Sequence, residues 1–505
     1  MEQTNVRRGG VLLHITSLPG PECAGTLGEA AYRFVDFLQS AGMRIWQVLP
    51  VGPTGYGESP YQSACALAGN PYMIDLALLQ KDGYLPDYQP APHAETGRAD
   101  FETLRAEKEP WLRRAYQHSR DRLLSDGAFE VWQKQWPWLR DYALFMAIKQ
   151  KFNQVSWMQW PDEDIRMRRP EAMNRYEQEL REDVRYYMFL QFLFRDQWMR
   201  LRRYANERGI MILGDMPIYV AEDSSDVWAN AKFFQLNCER RPKRVAGVPP
   251  DYFSEDGQLW GNPLYRWHYL RLHGYGFWMD RLRAMAQLYD SVRIDHFIGF
   301  ANYYSVKAGE KTARNGKWVI GPGKAFFAAV KKKVPELNVV AEDLGAVNDR
   351  VRNLLAFCGY PGMKVLQFAY DGGGGDNSHQ PQLYQPNCAA YTGTHDNNTV
   401  LGWLWEAQPY EREHALKYCA FPGGDWAVGG SESASCHAII RTLWQSPANT
   451  VIVPVQDLCG FGKDTKMNVP GVPNGNWAFR VTQEQLDGID KKWLKELNDV
   501  YYRNK

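Results

Sequence analysis

The chain has 505 residues, of which 45% are hydrophobic and 23% are charged, so it can bury a large core. A formal net charge of +1 gives no argument for a nucleic-acid partner or an acidic membrane surface. The eight cysteines show no CxxC pair and no zinc spacing, which predicts free thiols. Because we find no signal peptide and no stretch of about 20 apolar residues, we expect a cytoplasmic protein that does not enter the membrane.

Eight short apolar runs recur along the chain, and helical patterns separate them. Each run ends in polar, glycine or proline residues, as the strands of a buried sheet do. Strands that alternate with helices form a parallel sheet, and eight of them predict an α/β fold of the (β/α)8 TIM-barrel type. The runs are Val11–Leu18, Ile45–Val51, Ile210–Val220, Val292–Gly299, Asn338–Leu344, Met363–Tyr370, Cys388–Asp396 and Thr450–Leu458.

Two intervals between these runs are too long for a simple crossover, so we expect insertions in one catalytic barrel that spans residues 1–505. The first interval, at about 66–208, indicates a largely helical insertion. Its predicted helices are Phe101–Ser125, Glu130–Phe152 and Asn174–Glu207. The second interval, at about 221–289, contains Gly247–Tyr265, which is rich in glycine, proline and aspartate. We interpret Gly247–Tyr265 as a long loop over the C-terminal face of the barrel and as a lid on the active site.

Polar and charged side chains stand at the ends of four predicted strands. In a (β/α)8 barrel, the active site lies at the C-terminal ends of the strands. The side chains in question are Asp215, Arg293 with Asp295, Glu342 with Asp343, and His395 with Asp396. We therefore expect one rim of the barrel to be crowded with carboxylates.

The stretch Ser291–Phe300 places Arg293 and Asp295 in an otherwise apolar, strand-like run. Because side chains alternate along a strand, these two point to the same face. A buried carboxylate is costly unless it is paired, and Arg293 would keep Asp295 ionised at neutral pH. On this stretch alone, Asp295 is equally well a nucleophile or one half of a structural ion pair.

Enzymes that cleave glycosidic bonds typically use a pair of carboxylic acid side chains. The fourth and fifth strands of a singly wound barrel are neighbours about 4.8 Å apart. Asp295 and Glu342 could then lie roughly 5–5.5 Å apart, as a retaining mechanism requires. Glu342 would donate the proton, with its pKa raised by repulsion from neighbouring carboxylates such as Asp343 and Asp396. The spacing alone does not decide whether Glu342 or Asp343 points inward.

Metal catalysis is the weaker alternative at this rim. His296 and His395 flank the carboxylates and could ligate an ion together with them. The sequence has no HxH and no HExxH spacing, however. We therefore expect these histidines to hydrogen-bond to sugar or to carboxylate, with no metal and no other cofactor.

Three of the strand ends resemble active-site segments of the α-amylase clan, and they read VRIDHFIG, AEDLG and THDNNT. Longer segments are similar to the amylomaltase family, glycoside hydrolase family 77, in order from Gly9 to at least Asn398. They read GVLLHITSLPG, LPVGPTGYGESPYQS, GDMPIYVAEDSSDVWAN and VAGVPPDYFSEDGQLWGNPLY. Near the C-terminus, Met467–Arg480 (MNVPGVPNGNWAFR) matches the closing motif of that family only loosely.

This resemblance implies a 4-α-glucanotransferase, which moves segments between α-1,4-glucans. It makes Asp295 the nucleophile, Glu342 the acid/base and Asp396 a residue that stabilises the transition state. Other residues are then expected to contact the sugar chain. They are Arg293, His296, His395, Asp215, Tyr61, Tyr252, Phe253, Gln258, Trp260 and Asn262. The expected partners are donor and acceptor glucans (maltodextrins, amylose and glucose), and the chain is expected to be a monomer or a weak homo-oligomer.

Two other functions stay open at this point. One is a hydrolase of the α-amylase type, which would use the same three carboxylates with water as the acceptor. The other is a non-catalytic glucan-binding protein built on an inactive barrel. The role of Asp215 is also open, because the segment GDMP could equally cap a turn.

Overall fold

The computed structural model describes residues 6–91, 93, 95–125, 127–250, 254–372, 374–472 and 474–504. Its strands are β1 (Arg8–Leu12), β2 (Ile45–Gln47), β3 (Met211–Pro217), β4 (Arg244–Val248), β5 (Gln258–Pro263), β6 (Ser291–Asp295), β7 (Asn302–Lys307), β8 (Lys317–Ile320), β9 (Val339–Ala341), β10 (Gly362–Val365), β11 (Cys388–Tyr391) and β12 (Thr450–Pro454). Its helices are α1 (Glu29–Ser40), α2 (Leu76–Lys81), α3 (Phe101–Ser125), α4 (Ala128–Lys134), α5 (Pro137–Lys151), α6 (Glu163–Arg166), α7 (Pro170–Glu179), α8 (Arg181–Glu207), α9 (Ser225–Ala229), α10 (Trp267–Leu272), α11 (Gly276–Leu288), α12 (Gly323–Lys333), α13 (Asp349–Cys358), α14 (Val400–Glu406), α15 (Pro409–Tyr418), α16 (Ala434–Gln445), α17 (Val455–Leu458), α18 (Gln483–Asp487) and α19 (Lys491–Val500). Within these ranges, none of the helices has the length and apolar character that a membrane crossing needs.

Eight parallel strands of the described chain close into a barrel. Around the barrel they follow the chain in the order β1, β2, β3, β6, β9, β10, β11 and β12, and β12 pairs with β1 to close it. Each predicted run overlaps one of these strands, so the (β/α)8 prediction is confirmed. The strands end earlier than the runs do. For example, β1 ends at Leu12 and β11 at Tyr391, which leaves the polar residues beyond them in rim loops.

The barrel strands are buried on both faces. Val11, Ile212, Val292 and Val453 are each 0% exposed to solvent. Parallel strands that helices cover on the outside show continuous apolar runs, because neither face meets water. This burial explains why the strands could be recognised in the sequence, and it gives the polar rim a rigid base.

The helices α2 to α8 lie between β2 and β3. The prediction of one helix at Glu130–Phe152 is wrong, because α4 and α5 divide it and Pro137 stands in the first turn of α5. Proline donates no backbone N–H and fits the first turn of a helix, so a helix begins there. The predicted helix Asn174–Glu207 is likewise divided, with Leu180 between α7 and α8.

A second, antiparallel sheet has the order β5-β4-β7-β8. The interpretation of Gly247–Tyr265 as a loop is therefore wrong at its two ends, where Gly247 of β4 pairs with Leu259 of β5. Strand β4 also pairs with β7, and Gly247 lies opposite Tyr304 there. Because β7 follows shortly after β6, this pairing fastens the β4–β5 hairpin to the segment that continues from the barrel rim.

Candidate active site

Arg293 stands between two carboxylates at the rim. The register of β3 and β6 sets Asp215 beside Arg293. Arg293 donates from Nη1 to Oδ2 of Asp215 at 2.5 Å and from Nη2 to Oδ1 of Asp295 at 2.9 Å. Burial alone would lower the pKa of Arg293, but Asp215 and Asp295 raise it well above its usual value. The strand face predicted from the sequence therefore carries a buried ion network that runs from Asp215 to Asp295.

Tyr61 connects this network to the opposite side of the barrel. Its hydroxyl donates to Oδ2 of Asp215 at 2.9 Å. Its ring stacks on His395, with 5.2 Å between the ring centroids, and lies 5.6 Å from the ring of Trp477. Burial, followed by the charge of Asp215, raises the pKa of Tyr61 well above its usual value, so the hydroxyl remains a donor.

Glu342 follows β9 directly and lies next to Asp295. The two strands pair with Ile294 opposite Ala341, so Asp295 and Glu342 are the next residues on each side. Oε2 of Glu342 accepts a hydrogen bond from the backbone N–H of His296 at 2.6 Å, and Oε1 accepts one from that of Leu344 at 3.2 Å. These contacts turn the carboxyl toward the loop that follows Asp295.

The pKa of Glu342 is raised to about 8. Burial is the largest cause, and repulsion from Asp295 and Asp343 adds to it, while Arg293 acts in the opposite direction. The sequence-based explanation, which attributed the shift to repulsion between carboxylates, is therefore wrong in its main cause. A carboxyl group with this pKa keeps its proton at neutral pH and can donate it.

Asp343 points away from this cleft. Its Oδ1 accepts a hydrogen bond from the backbone N–H of Met363 on β10 at 2.7 Å. A Cβ atom at the neighbouring Gly362 would lie 2.7 Å from the Asp343 carboxylate oxygens, so only glycine leaves room for this contact. The structure thus shows which of the two adjacent carboxylates faces the cleft, and their spacing in the sequence could not decide this.

Asp396 lies on the loop after β11. Its Oδ1 accepts a hydrogen bond from Nδ2 of Asn468 at 2.6 Å, and its Oδ2 lies 3.3 Å from Nε2 of His395. Asn468 was not among the residues expected from the sequence to form the site. The available signal was its position in Met467–Arg480, the segment that matches the closing motif of the amylomaltase family only loosely.

His296 turns the chain away from β6, with φ at 51° in the left-handed region. Burial lowers its pKa to about 4, so the imidazole is neutral at pH 7. The ring of Trp260 meets it edge to face at 4.9 Å, and Nε1 of Trp260 donates to Oε1 of Gln258 at 3.1 Å. Nε2 of His296 has no hydrogen-bond partner among the described residues, which leaves that atom for a bound molecule.

Asn262 is buried, and its amide is bound within the protein. Nδ2 donates to the carbonyl of Val220 at 2.9 Å, and Oδ1 accepts from Nε2 of Gln62 at 3.5 Å. These bonds fasten β5 to the segment after β3. Two other expected sugar contacts, Tyr252 and Phe253, lie outside the described residues.

Possible metal ligands also occur away from the rim. Among the described residues, Cys23, His93 and Glu107 bring their ligand atoms within 4.8 Å of one another. On the rim itself, the carboxylates accept hydrogen bonds from Arg293, from backbone N–H groups and from Asn468. The arrangement thus places a carboxylate paired with Arg293 and a carboxyl group of raised pKa in the same cleft, which suits acid/base and nucleophilic chemistry.

Comparison with known proteins shows which family the chain resembles. A family model described as 4-alpha-glucanotransferase matches residues 13–485. The 4-alpha-glucanotransferase of Thermus thermophilus is 45% identical over 487 residues, which cover 95% of this chain and 96% of that protein. The Clostridium butyricum enzyme of the same name is 43% identical over 500 residues, which cover 97% of this chain and 98% of the relative.

A solved structure extends the likeness to the fold. The amylomaltase from Streptococcus agalactiae, in complex with acarbose, superposes with a TM-score of 0.94 at 38% identity. The match covers 99% of this chain and 100% of that one. The family model, the two relatives and this structure agree along nearly the whole length, so the chain belongs to the 4-alpha-glucanotransferase family and is a glycosyl-transferring enzyme.

Proposed function

We propose that the enzyme transfers α-1,4-glucan segments by a retaining double displacement through a covalent ester on Asp295. One observation carries this proposal, which is that Asp295 and Glu342 follow paired positions of β6 and β9 in contrasting surroundings. Arg293 donates to Asp295, whereas burial raises the pKa of Glu342 to about 8. Neighbouring strands lie about 4.8 Å apart, which is close to the separation of roughly 5–5.5 Å found in retaining enzymes.

In the first displacement, an oxygen of Asp295 attacks the anomeric carbon of the donor glucan. Glu342 gives its proton to the glycosidic oxygen as the bond from that oxygen to the anomeric carbon breaks. The downstream part of the donor leaves with a free 4-hydroxyl group. The upstream part stays bound to Asp295 as an ester, and Glu342 is left as a carboxylate.

In the second displacement, the 4-hydroxyl group of an acceptor glucan attacks the anomeric carbon. Its proton passes to Glu342, the ester bond breaks, and Asp295 is released as a carboxylate. An acceptor held beside the ester has a large effective concentration compared with a free reactant. Maltodextrins, amylose and glucose would serve as acceptors by this route.

The remaining rim residues would position the sugar. Asn468 and His395 each contact one oxygen of Asp396 and would orient this carboxylate toward sugar hydroxyl groups. Nε2 of the neutral His296 could accept a hydrogen bond from the same ring. Through β5, the hairpin brings Trp260 against His296, and Gln258 accepts a hydrogen bond from Trp260. An aromatic ring in that place can stack on a sugar face.

Tyr61 and Asp215 would act indirectly, by holding Arg293 in place, and not by contacting the sugar. The Tyr61 hydroxyl and Arg293 Nη1 both donate to Oδ2 of Asp215, which fixes the guanidinium that contacts Asp295. The amide of Asn262 is bound to Val220 and Gln62, so its proposed role is to hold β5 in place. The β4–β5 hairpin would cover the bound glucan from that side.

Incubation with maltotriose tests this function against hydrolysis. Transfer produces glucose together with longer maltodextrins, and the number of reducing ends stays constant. We would follow product lengths by chromatography and reducing ends by a colorimetric assay. A rise in reducing ends equal to the bonds cleaved would show a hydrolase of the α-amylase type, and no reaction at all would favour a glucan-binding protein.

A further inference from the structure

A groove opens on the outer helical layer of the protein, between α4, α8 and the end of α11. Its volume is about 470 Å³, within the range of roughly 300–1,000 Å³ that is typical of ligand sites. The side chains that line it include Trp132, Gln135, Trp136, Arg195, Asp196 and Gln287.

Two tryptophan rings form most of the apolar part of this groove, together with Phe192 and Met199. The rings of Trp132 and Trp136 have centroids 6.5 Å apart and planes inclined at 51°. Trp132 is fixed from behind by Phe192, which meets it edge to face at 5.3 Å, and by Phe129, which stacks on it at 6.1 Å. Large rings held in one orientation offer contact area at a small entropic cost, and they suit the C–H faces of sugar rings.

Polar side chains surround these rings. The guanidinium of Arg195 lies 3.8 Å from the ring centroid of Trp136 and donates from Nη2 to Oε1 of Gln287 at 3.2 Å. Burial lowers the pKa of Arg195 to about 10, so it is charged at neutral pH. Asp196 lies 2.7 Å from Arg200 in an ion pair, and Gln135 is exposed.

This combination of groups indicates the chemistry of the occupant. Amides, a guanidinium and a carboxylate around two indole rings supply donors and acceptors for the hydroxyl groups of a neutral ligand. Arg195 and Asp196 contribute one charge of each sign to the lining of the groove. An apolar peptide helix or a lipid surface would bury the exposed amide of Gln135 and the remaining donors of Arg195 without new partners, which is costly. A neutral sugar chain satisfies both the rings and the polar groups.

The groove is separate from the catalytic rim. Gln287 lies in the last turn of α11, just before β6 begins at Ser291. Asp295 ends the same strand, so the groove and the rim lie toward opposite ends of the barrel wall. An acceptor held beside Asp295 could not occupy the groove with the same glucosyl units.

We infer that this groove is a second binding site for α-glucan chains, on the flank of the barrel. The inference rests on the proposed function, because the ligand is the polymer that the enzyme would use as donor and acceptor. A chain bound on the flank keeps further segments of the same polymer, or neighbouring chains, close to the rim. Long glucans therefore gain from the site by raised local concentration, whereas maltotriose occupies the rim without needing it.

Binding stoichiometry tests the inference directly. We would titrate the Asp295→Asn protein, which does not turn over substrate, with maltoheptaose in a calorimeter. Two binding sites are expected, and the additional pair Gln135→Ala with Gln287→Ala should remove one of them. Tyr502→Ala, an exposed aromatic substitution elsewhere, should keep both sites. A single site in the Asp295→Asn protein would overturn the inference.

Kinetics with long and short substrates gives a second test in the active enzyme. Losing two hydrogen-bonding side chains should raise KM for amylose about 5-fold and leave maltotriose turnover unchanged. Trp136→Phe, which keeps an aromatic ring, should raise KM for amylose less than Trp136→Ala does. Equal effects on both substrates, or none on amylose, would overturn the flank site. Failure of the proposed function would appear separately, as loss of transfer from maltotriose in the unmodified enzyme.

Discussion

The two sides of the catalytic cleft surround their carboxylates with different hydrogen-bond partners. On the β3–β6 side, Asp295 is paired with Arg293, and Asp215 holds the guanidinium from behind. On the β9 side, Glu342 is held by the backbone N–H groups of His296 and Leu344, in a buried place that raises its pKa to about 8. Asp295 therefore has a guanidinium cation as its partner, whereas Glu342 has the dipoles of two backbone N–H groups.

This difference shows how one pair of acids can carry two roles. A nucleophile has to be ionised, and a general acid has to retain its proton until the bond breaks. Both residues are carboxylic acids, so the surroundings and not the side-chain type decide which is which.

The largest expected effect separates the two carboxylates by the leaving group of the donor. Glu342→Gln should lower transfer from maltotriose about 10²–10⁴-fold, because no acid protonates the departing oxygen. With α-maltotriosyl fluoride, whose fluoride leaves without a proton, the first displacement should survive. The ester should then accumulate, and the mass of the protein should rise by one maltotriosyl unit on a peptide that contains Asp295.

Asp295→Asn is the matched control for this experiment. Without the carboxylate, neither maltotriose nor the fluoride should react, and the mass should not change. An adduct on another residue, or rescue of Asp295→Asn by the fluoride, would contradict the assignment of the two roles.

The next largest effect is on stability and is expected when the cation Arg293 is removed. Arg293→Met should lower the free energy of unfolding by about 3–5 kcal/mol, because it leaves the buried Asp215 carboxylate without its cation. Arg293 and Asp215 are 3% and 2% exposed, so solvent cannot replace the lost contact. Adding Asp215→Asn should recover part of this loss. Urea denaturation followed by circular dichroism would measure both variants.

Arg352 provides the comparison at the surface. Its ion pair with Asp349 has side chains that are 63% and 91% exposed. Arg352→Met should therefore change the free energy of unfolding by less than about 1 kcal/mol. If Arg293→Met were no more harmful than Arg352→Met, the buried network would not stabilise the rim.

Most residues of this cleft could be predicted because they lie at the ends of strands whose apolar runs are easily recognised in the sequence. Arg293 and Asp295 interrupt an apolar run, and their shared face follows from the two-residue period of a strand. The eight runs were visible since both faces of each barrel strand are buried. The strand pattern alone could not supply the choice between Glu342 and Asp343, for which the sequence offered only the family resemblance. That choice depends on a contact with Met363, on a different strand.

The second sheet illustrates the opposite case. Strand β5 has only partly buried residues over most of its length and contains Gly261, so neither burial nor propensity marks it. Its pairing with β4 joins positions separated by a turn, and β8 is mostly exposed. Asn468 was missed for a similar reason, since its contact with Asp396 spans 72 residues of chain. Contacts of this kind are set by tertiary packing, which local patterns do not reveal.

The smallest expected effect is the pH dependence on the Glu342 side. Its pKa of about 8 in the folded protein lies above the usual value of 4.5, so ionisation is easier in the unfolded chain. Stability from this group is therefore fully present below about pH 4.5 and is lost as the pH rises through about 8. Activity should fall over the same upper limb, because the acid form disappears.

Glu342→Gln cannot ionise, so its melting temperature should rise relative to the unmodified protein at pH 9 and much less at pH 5. Differential scanning calorimetry at both pH values measures this difference. Glu413→Gln is the control, because Lys417 holds the pKa of Glu413 below its usual value and the side chain is exposed. Glu413→Gln should show no gain at pH 9. An equal shift in both variants would mean that loss of negative charge, and not burial of Glu342, causes the change.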